Sequence, residues 1–167
     1  MKKLLLGTLL FFSFAASSQK LTYTKDIMTD KEYINIDKVF MASNDSKNGF
    51  FIKPTFKILD GVVKYNGLIV ISSGVGSCME NDRLIILFED NTKVELKSWQ
   101  NFNCKGTSYF DLHSKELENL NKRVKAIRLT NGRSYESYTF ETKTEEEKNY
   151  FIIANTLLIN QKYEVSK

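Results

Sequence analysis

Apolar and polar positions change rhythm along this chain, and the sharpest change lies between Cys78 and Cys104. Leu84 to Phe88 is an uninterrupted apolar run of strand-forming residues, the pattern of a strand covered on both faces. Lys93-Val94-Glu95-Leu96-Lys97 alternates strictly, the mark of a strand with one wet face. Between them Glu89-Asp90-Asn91-Thr92 carries turn chemistry, and Asn91 is the residue there best suited to a positive φ. A three-residue loop at 89–91 sets Phe88 opposite Thr92, Ile86 opposite Val94 and Leu84 opposite Leu96. The even-numbered side chains then share the core face. Cys78 and Cys104 are even-numbered too, and in this register they lie about two residues from direct opposition. One bulge brings them together.

The same rhythm predicts a second hairpin from Val124 to Leu129, Asn131-Gly132 and Ser134 to Phe140. A two-residue Asn-Gly turn would set Ile127 opposite Glu136. Shifting the register by one puts Tyr135 on the face of Ile127 and Leu129, which predicts a three-residue loop or a bulge. Before Cys78 the signals are shorter. Gln19 to Asp30 reads as a frayed arm or a first edge strand. Tyr33-Ile34-Asn35-Ile36 and Val39-Phe40-Met41 are brief apolar stretches, and Ser43 to Gly49 is a loop. Pro54 interrupts the run from Phe50 to Leu59 and points to an edge strand, because proline has no N–H for an inner ladder. Val62 to Ile71 reads as two strands around Asn66-Gly67 or as one long strand with a glycine bulge. After Cys104, Ser108-Tyr109-Phe110 suggests a strand. Leu112, Glu116, Leu117 and Leu120 fall at helical spacing.

The last element is a helix, taken as residues 144–162. Thr144 and Glu147 form a capping box, and Glu145, Glu146 and Glu147 complement the helix dipole. Its apolar residues cover more than one stripe, so it packs into the fold, covers a sheet edge or end, or docks a partner. These elements together predict a mainly β fold: an antiparallel β-sandwich or curled sheet of about seven to eight strands with one C-terminal α-helix.

The N-terminus changes the picture of compartment. Lys2 and Lys3 precede an apolar run from Leu4 to Ala15, followed by the small residues Ala16, Ser17 and Ser18. This is the pattern of a secretory signal peptide over residues 1–18. An N-terminal arm at 19–29 and a single domain at 30–167 follow. Two cysteines in an exported chain point to a Cys78–Cys104 disulfide. Closing that loop is worth roughly 3.5 kcal/mol in the chain-entropy model. Without Lys2 and Lys3 the chain carries 22 basic against 20 acidic residues. That near-balance argues against a nucleic-acid partner, and the apolar run is too short for an integral membrane segment. The expected location is the periplasm or the extracellular medium.

Candidate chemistry is sparse. His113 is the single histidine, which removes most Ser–His and Cys–His designs, and no structural zinc set is present. Gly74-Val75-Gly76-Ser77 lacks the lysine-serine ending of a phosphate loop and reads as a plain connection. Glu80, Asp82, Glu89, Asp90 and Asn91 make oxygen-rich hairpin ends, as do Asn44, Asp45, Ser46 and Asn48 in the earlier loop. Calcium accepts such ligands, but turns use the same residues for backbone reasons. We therefore assign no metal, no cofactor and no catalytic residue. Trp99, Phe102, Tyr109 and Phe110 gather near the cysteines. Buried aromatics packed on a disulfide are the commoner arrangement. The other is an exposed ligand patch of Trp99, Phe102 and Tyr109 for a protein or glycan.

The segments FEDNTKVEL, W-x-x-F-N-C-x-G and AIRLTNGRS, followed by a Tyr150-Phe151-Ile152 helix, resemble small exported proteins of unknown function common in Bacteroidetes. The resemblance spans roughly residues 30–159. It implies export and fold, and it supplies no catalytic residue. The leading expectation is a non-enzymatic exported binding or accessory domain. The alternatives are a small secreted hydrolase using paired carboxylates and an envelope-associated protein-interaction domain.

Overall fold

The structure is a computed structural model that describes residues 20–25, 27–29, 32–43, 49–59, 62–73, 78–99, 102–160 and 163–165. Residues 1–18, where a signal peptide is expected, the loop at 44–48 and the connection at 74–77 lie outside the described residues, as does Lys162.

Eleven strands and two helices form among the described residues. They are β1 (Leu21–Lys25), β2 (Glu32–Ile36), β3 (Phe40–Ser43), β4 (Gly49–Leu59), β5 (Val62–Ser73), β6 (Arg83–Phe88), β7 (Lys93–Lys97), β8 (Thr107–Asp111), α1 (Ser114–Asn119), β9 (Val124–Thr130), β10 (Ser137–Glu141), α2 (Glu145–Ile159) and β11 (Tyr163–Val165). Seven strands make one sheet in the order β11-β1-β2-β4-β5-β8, with β3 also pairing β4. The other four run β10-β9-β6-β7. The pairing is antiparallel throughout except for β1 against β11, which is parallel. The mainly β class with a C-terminal helix is thus present. The strand number exceeds seven to eight because four short strands join the sheet: β2 and β3 pair the long β4, and β1 and β11 add on beyond β2.

The β6–β7 hairpin has the register that alternation implied. Leu84 pairs Leu96, Ile86 pairs Val94, and the Phe88 N–H donates to Thr92 O at 3.0 Å. Asn91 takes φ 63°. The even-numbered side chains of both strands are buried. Ile85 and Leu87 are only half-buried, so the second face of β6 is less covered than its apolar run suggested.

Pro54 does not mark an edge. β4 lies inside the sheet, with β5 on one side and both β2 and β3 on the other. The register explains how a proline fits there. β3 pairs residues 49–52 of β4, and β2 pairs Phe56 and Lys57. Pro54 falls in the gap between them, where no partner needs its N–H. Val62 to Ser73 is one long strand, the second of the two readings. Thr55 pairs Gly67 and Phe56 pairs Tyr65, which leaves Asn66 as the extra residue of a bulge. Gly67 is required because a Cβ would lie 2.4 Å from Phe110 O on β8. The bulge changes the phase of the strand, so Tyr65 faces Phe56 before it while Leu68 and Val70 are buried after it.

The second hairpin departs from expectation. Ile127 pairs Phe140 and Leu129 pairs Tyr138, leaving a six-residue loop from Asn131 to Glu136. Tyr135 is exposed in that loop at φ 62°, not on the core face. In α2, Thr144 Oγ1 accepts the Glu147 N–H at 3.2 Å, and the Glu147 carboxylate accepts the Thr144 N–H at 2.9 Å. The helix buries Tyr150, Phe151 and Ala154 in the core shared by both sheets. The Tyr150 hydroxyl donates to Lys38 O at 2.8 Å, and burial pushes that phenol far above its ordinary pKa. Among the described residues no helix is long and apolar enough to cross a membrane.

Candidate functional site

The two sheets meet at one corner, and the cysteines sit on it. Cys78 and Cys104 are disulfide-bonded at 2.09 Å. Next to them Met79 and Asn103 exchange backbone hydrogen bonds of 2.7 and 3.0 Å. Compared with the β6–β7 register the pairing has moved by two residues, and Asn81 takes φ 52° within the shift. Beyond β7, Ser98 bridges Phe110 and the Trp99 N–H donates to Tyr109 O at 3.2 Å. The end of β7 thereby crosses from the four-stranded sheet to β8 of the seven-stranded one.

A buried polar cluster holds this corner. Asp82 is fully buried; the Ser108 hydroxyl donates to it, and Gly132 N–H donates to its Oδ1 at 3.0 Å. The Asp82 N–H in turn donates to Ser98 Oγ at 2.9 Å. Asn131, also fully buried, donates from Nδ2 to Cys78 O at 3.0 Å. Its Oδ1 accepts the N–H groups of Arg133 and Ser134, both at 2.9 Å. A Cβ on residue 132 would lie 2.2 Å from Glu80 O, so only glycine lets the loop approach this closely. Three distant stretches are thus fixed to one another by satisfied hydrogen bonds, the condition under which buried polar groups rigidify a fold.

On this frame the aromatic residues divide. Phe110 is buried. Trp99 is 61% exposed and packs on Tyr109, with ring centroids 5.6 Å apart and planes at 47°. Phe102 is 48% exposed and carries the Arg133 guanidinium 4.6 Å above its ring, a cation–π contact. Trp99 and Tyr109 are therefore brought together, while Phe102 turns to Arg133. None of the three lies in the core.

The outer face of the seven-stranded sheet extends the patch. Met41, Phe51, Ile71 and Thr107 are consecutive cross-strand partners on β3, β4, β5 and β8. Beside that row, Lys53, Ile69 and Tyr109 form another, which ends on Trp99. Four strands span roughly 15 Å at the usual interstrand spacing. Met41 is 59% exposed, Ile71 is exposed, and Phe51, Ile69 and Tyr109 are half-buried. Sequence reading missed Met41, Phe51, Ile69 and Ile71, whose grouping depends on pairing between distant strands.

The other candidate residues are engaged in structure. Glu89 binds Arg123 at 2.6 Å and Lys148 at 3.1 Å, and Arg123 holds Glu145 through both Nη atoms at 2.8 and 3.0 Å. Arg123 keeps the carboxyls of Glu89 and Glu145 below the usual range. Hydrogen bonds from Thr92, then Lys122, bring Asp90 down to about 2. Glu80 and Asp82 lie at the opposite end of the hairpin, so the acids are not gathered into one ligand set. Among the described residues no group of three or more His, Cys, Asp or Glu is placed to hold a metal. His113 is exposed at the N-cap of α1, where its N–H donates to Glu116 Oε2 at 3.1 Å. Comparison of the chain with protein-family models, curated proteins and solved structures finds no match.

Proposed function

We propose that this chain is a non-enzymatic exported binding domain that engages a partner protein through the outer face of the seven-stranded sheet at the disulfide corner. The observation that carries the reading is Trp99, exposed, packed at a tilt against Tyr109 and continuous with the rows of Ile69 and of Met41, Phe51 and Ile71. Exposed Met41, Ile71 and Trp99 joined by half-buried Phe51, Ile69 and Tyr109 make a contiguous apolar strip, the kind of surface that marks a docking site. Aromatic anchors at the centre of such a patch dominate binding energy when desolvated. The apolar row of Met41, Phe51 and Ile71 favours apolar protein side chains over sugar rings; the Trp99–Tyr109 pair alone fits a glycan. The disulfide supports export, because such bonds persist in oxidising compartments.

Trp99 is the only tryptophan, so its emission reports directly on the patch. Titration with peptide and oligosaccharide panels is expected to give a saturable emission change with apolar peptides. Affinity should fall at least tenfold in Tyr109→Ala and in Ile71→Lys. Saturable binding of oligosaccharides alone would favour the glycan reading. Peptide binding that is unchanged in both variants would sink the proposed surface.

A further inference from the structure

Beyond its apolar end, the outer face of the seven-stranded sheet turns basic. Phe50, Ile52, Pro54 and Phe56 of β4 are buried, so Phe51, Lys53, Thr55 and Lys57 point outward in turn along that strand. Lys53 shares its row with Ile69 and Tyr109. Thr55 shares the next with Gly67 and Asp111, and Lys57 is opposite Lys64. Lys57 is six residues along β4 from Phe51, roughly 20 Å at strand rise.

The charge at this end is uncompensated. Lys57 and Lys64 are direct cross-strand partners, and both are exposed. Like charges directly opposite on paired strands repel. The Lys53 ammonium donates to Asn35 Oδ1 at 3.2 Å, a neutral partner. None of these three lysines forms an ion pair among the described residues. At the outward positions of β4, β5 and β8, the single acid among the described residues is Asp111. It stands in the row between the apolar end and the lysine pair.

We infer that the partner at this face is an extended protein segment with apolar side chains at one end and acidic side chains about six residues further along. The inference rests on the binding role proposed above and names the chemistry of the partner. Alternate side chains of an extended segment face the sheet. Two apolar ones cover the rows of Phe51 and Lys53, beside Trp99 and Tyr109. A small one passes over Gly67, where no side chain stands. An acidic one then meets Lys57 and Lys64, relieves their repulsion and gains charge-assisted hydrogen bonds. An acid two residues earlier meets the row of Asp111, so the face selects spacing as well as charge. Separation of the apolar and basic ends along the strands favours such a segment over an anionic bilayer, which presents headgroups and acyl chains together at every point.

The test uses the oxidised protein and three capped nonapeptides, read by Trp99 emission. FSVSSSESE carries its acids on sheet-facing positions, six and eight residues from the phenylalanine. FEVESSSSS has the same composition with its acids turned away from the sheet beside the apolar end. FSVSSSQSQ is uncharged. FSVSSSESE is expected to bind about fivefold tighter than either of the others, the scale of two exposed ion pairs. The advantage should vanish in the Lys57→Gln/Lys64→Gln double variant and shrink at high salt. Both substitutions are at exposed positions, and circular dichroism of the variant should keep its β signal. Equal affinity of FSVSSSESE and FEVESSSSS, or an advantage kept in the lysine variant, overturns the acidic partner while leaving the apolar surface standing. No saturable change with any peptide overturns the surface and the inference together. Binding of phosphatidylglycerol vesicles in place of the peptides overturns the inference in favour of a membrane.

Discussion

Asp82 and Tyr65 show how single polar groups act in this interior with opposite sign. Asp82 accepts from Ser108 Oγ and from the N–H of Gly132, so removing its carboxylate leaves buried donors without an acceptor. Leaving such groups unmet costs more than a made hydrogen bond contributes. Asp82→Ala is therefore expected to lower unfolding stability by about 3 kcal/mol in urea denaturation. A loss below about 1 kcal/mol would contradict the role given to the buried cluster. The Tyr65 hydroxyl is buried with no hydrogen-bond partner, and burial raises its pKa well above the ordinary tyrosine value. Tyr65→Phe removes an unmet polar group while keeping the ring against Phe56. It should raise stability by about 1 kcal/mol, and a destabilised variant would show that the hydroxyl is satisfied after all.

Elements differ in how far their own residues decide them. The β6–β7 hairpin was legible because pattern, turn residue and register all lie within 83–97, and Asn91 supplies the positive φ that the loop needs. The β9–β10 hairpin was not, because its turn answers to a distant partner. Asn131 spends its amide on Cys78 O, 53 residues away, and its carbonyl on the loop backbone, which opens Asn-Gly into six residues. Pro54 misled for a similar reason: its tolerance inside the sheet depends on where β2 stops and β3 begins. Docking of α2 on the hairpin tip rests on Arg123 with Glu89 and Glu145. The carboxyls of Glu89, Glu145 and Asp90 are all held below their ordinary values. Groups depressed in the folded state contribute stability that is full above the unfolded pKa and lost as pH falls through the folded one. The melting temperature should therefore drop from the ordinary carboxylate range down towards pH 2, where Asp90 titrates. Arg123→Gln should melt lower than the parent at neutral pH, and the gap should narrow in acid and in high salt. A gap that persists at pH 2 would argue against the ion cluster.

For the whole molecule, the class of fold was readable and the surface was not. The disulfide, the central hairpin and the helix cap are short-range signals. The outer-face strip is assembled from β3, β4, β5 and β8, and the bulge at Asn66 reverses the phase of β5 within one strand. No window of sequence contains that strip. The same holds for the cleft between the distal ends of β4 and β5 and the two helices, whose walls include Tyr65, Leu117 and Leu158. What the fold does with these pieces is to hold an aromatic pair and an apolar row on its outer face, on a frame fixed by a disulfide and a buried polar cluster. Acrylamide quenching of Trp99 emission in the oxidised protein, repeated over a range of protein concentrations, tests that account most directly. Trp99 is 61% exposed with Tyr109 against its ring, so the account predicts quenching far stronger than that of a buried indole, below that of a free one, and independent of concentration. A strongly protected Trp99 at low concentration would mean that the corner is core or already covered, and the proposed recognition surface would not exist.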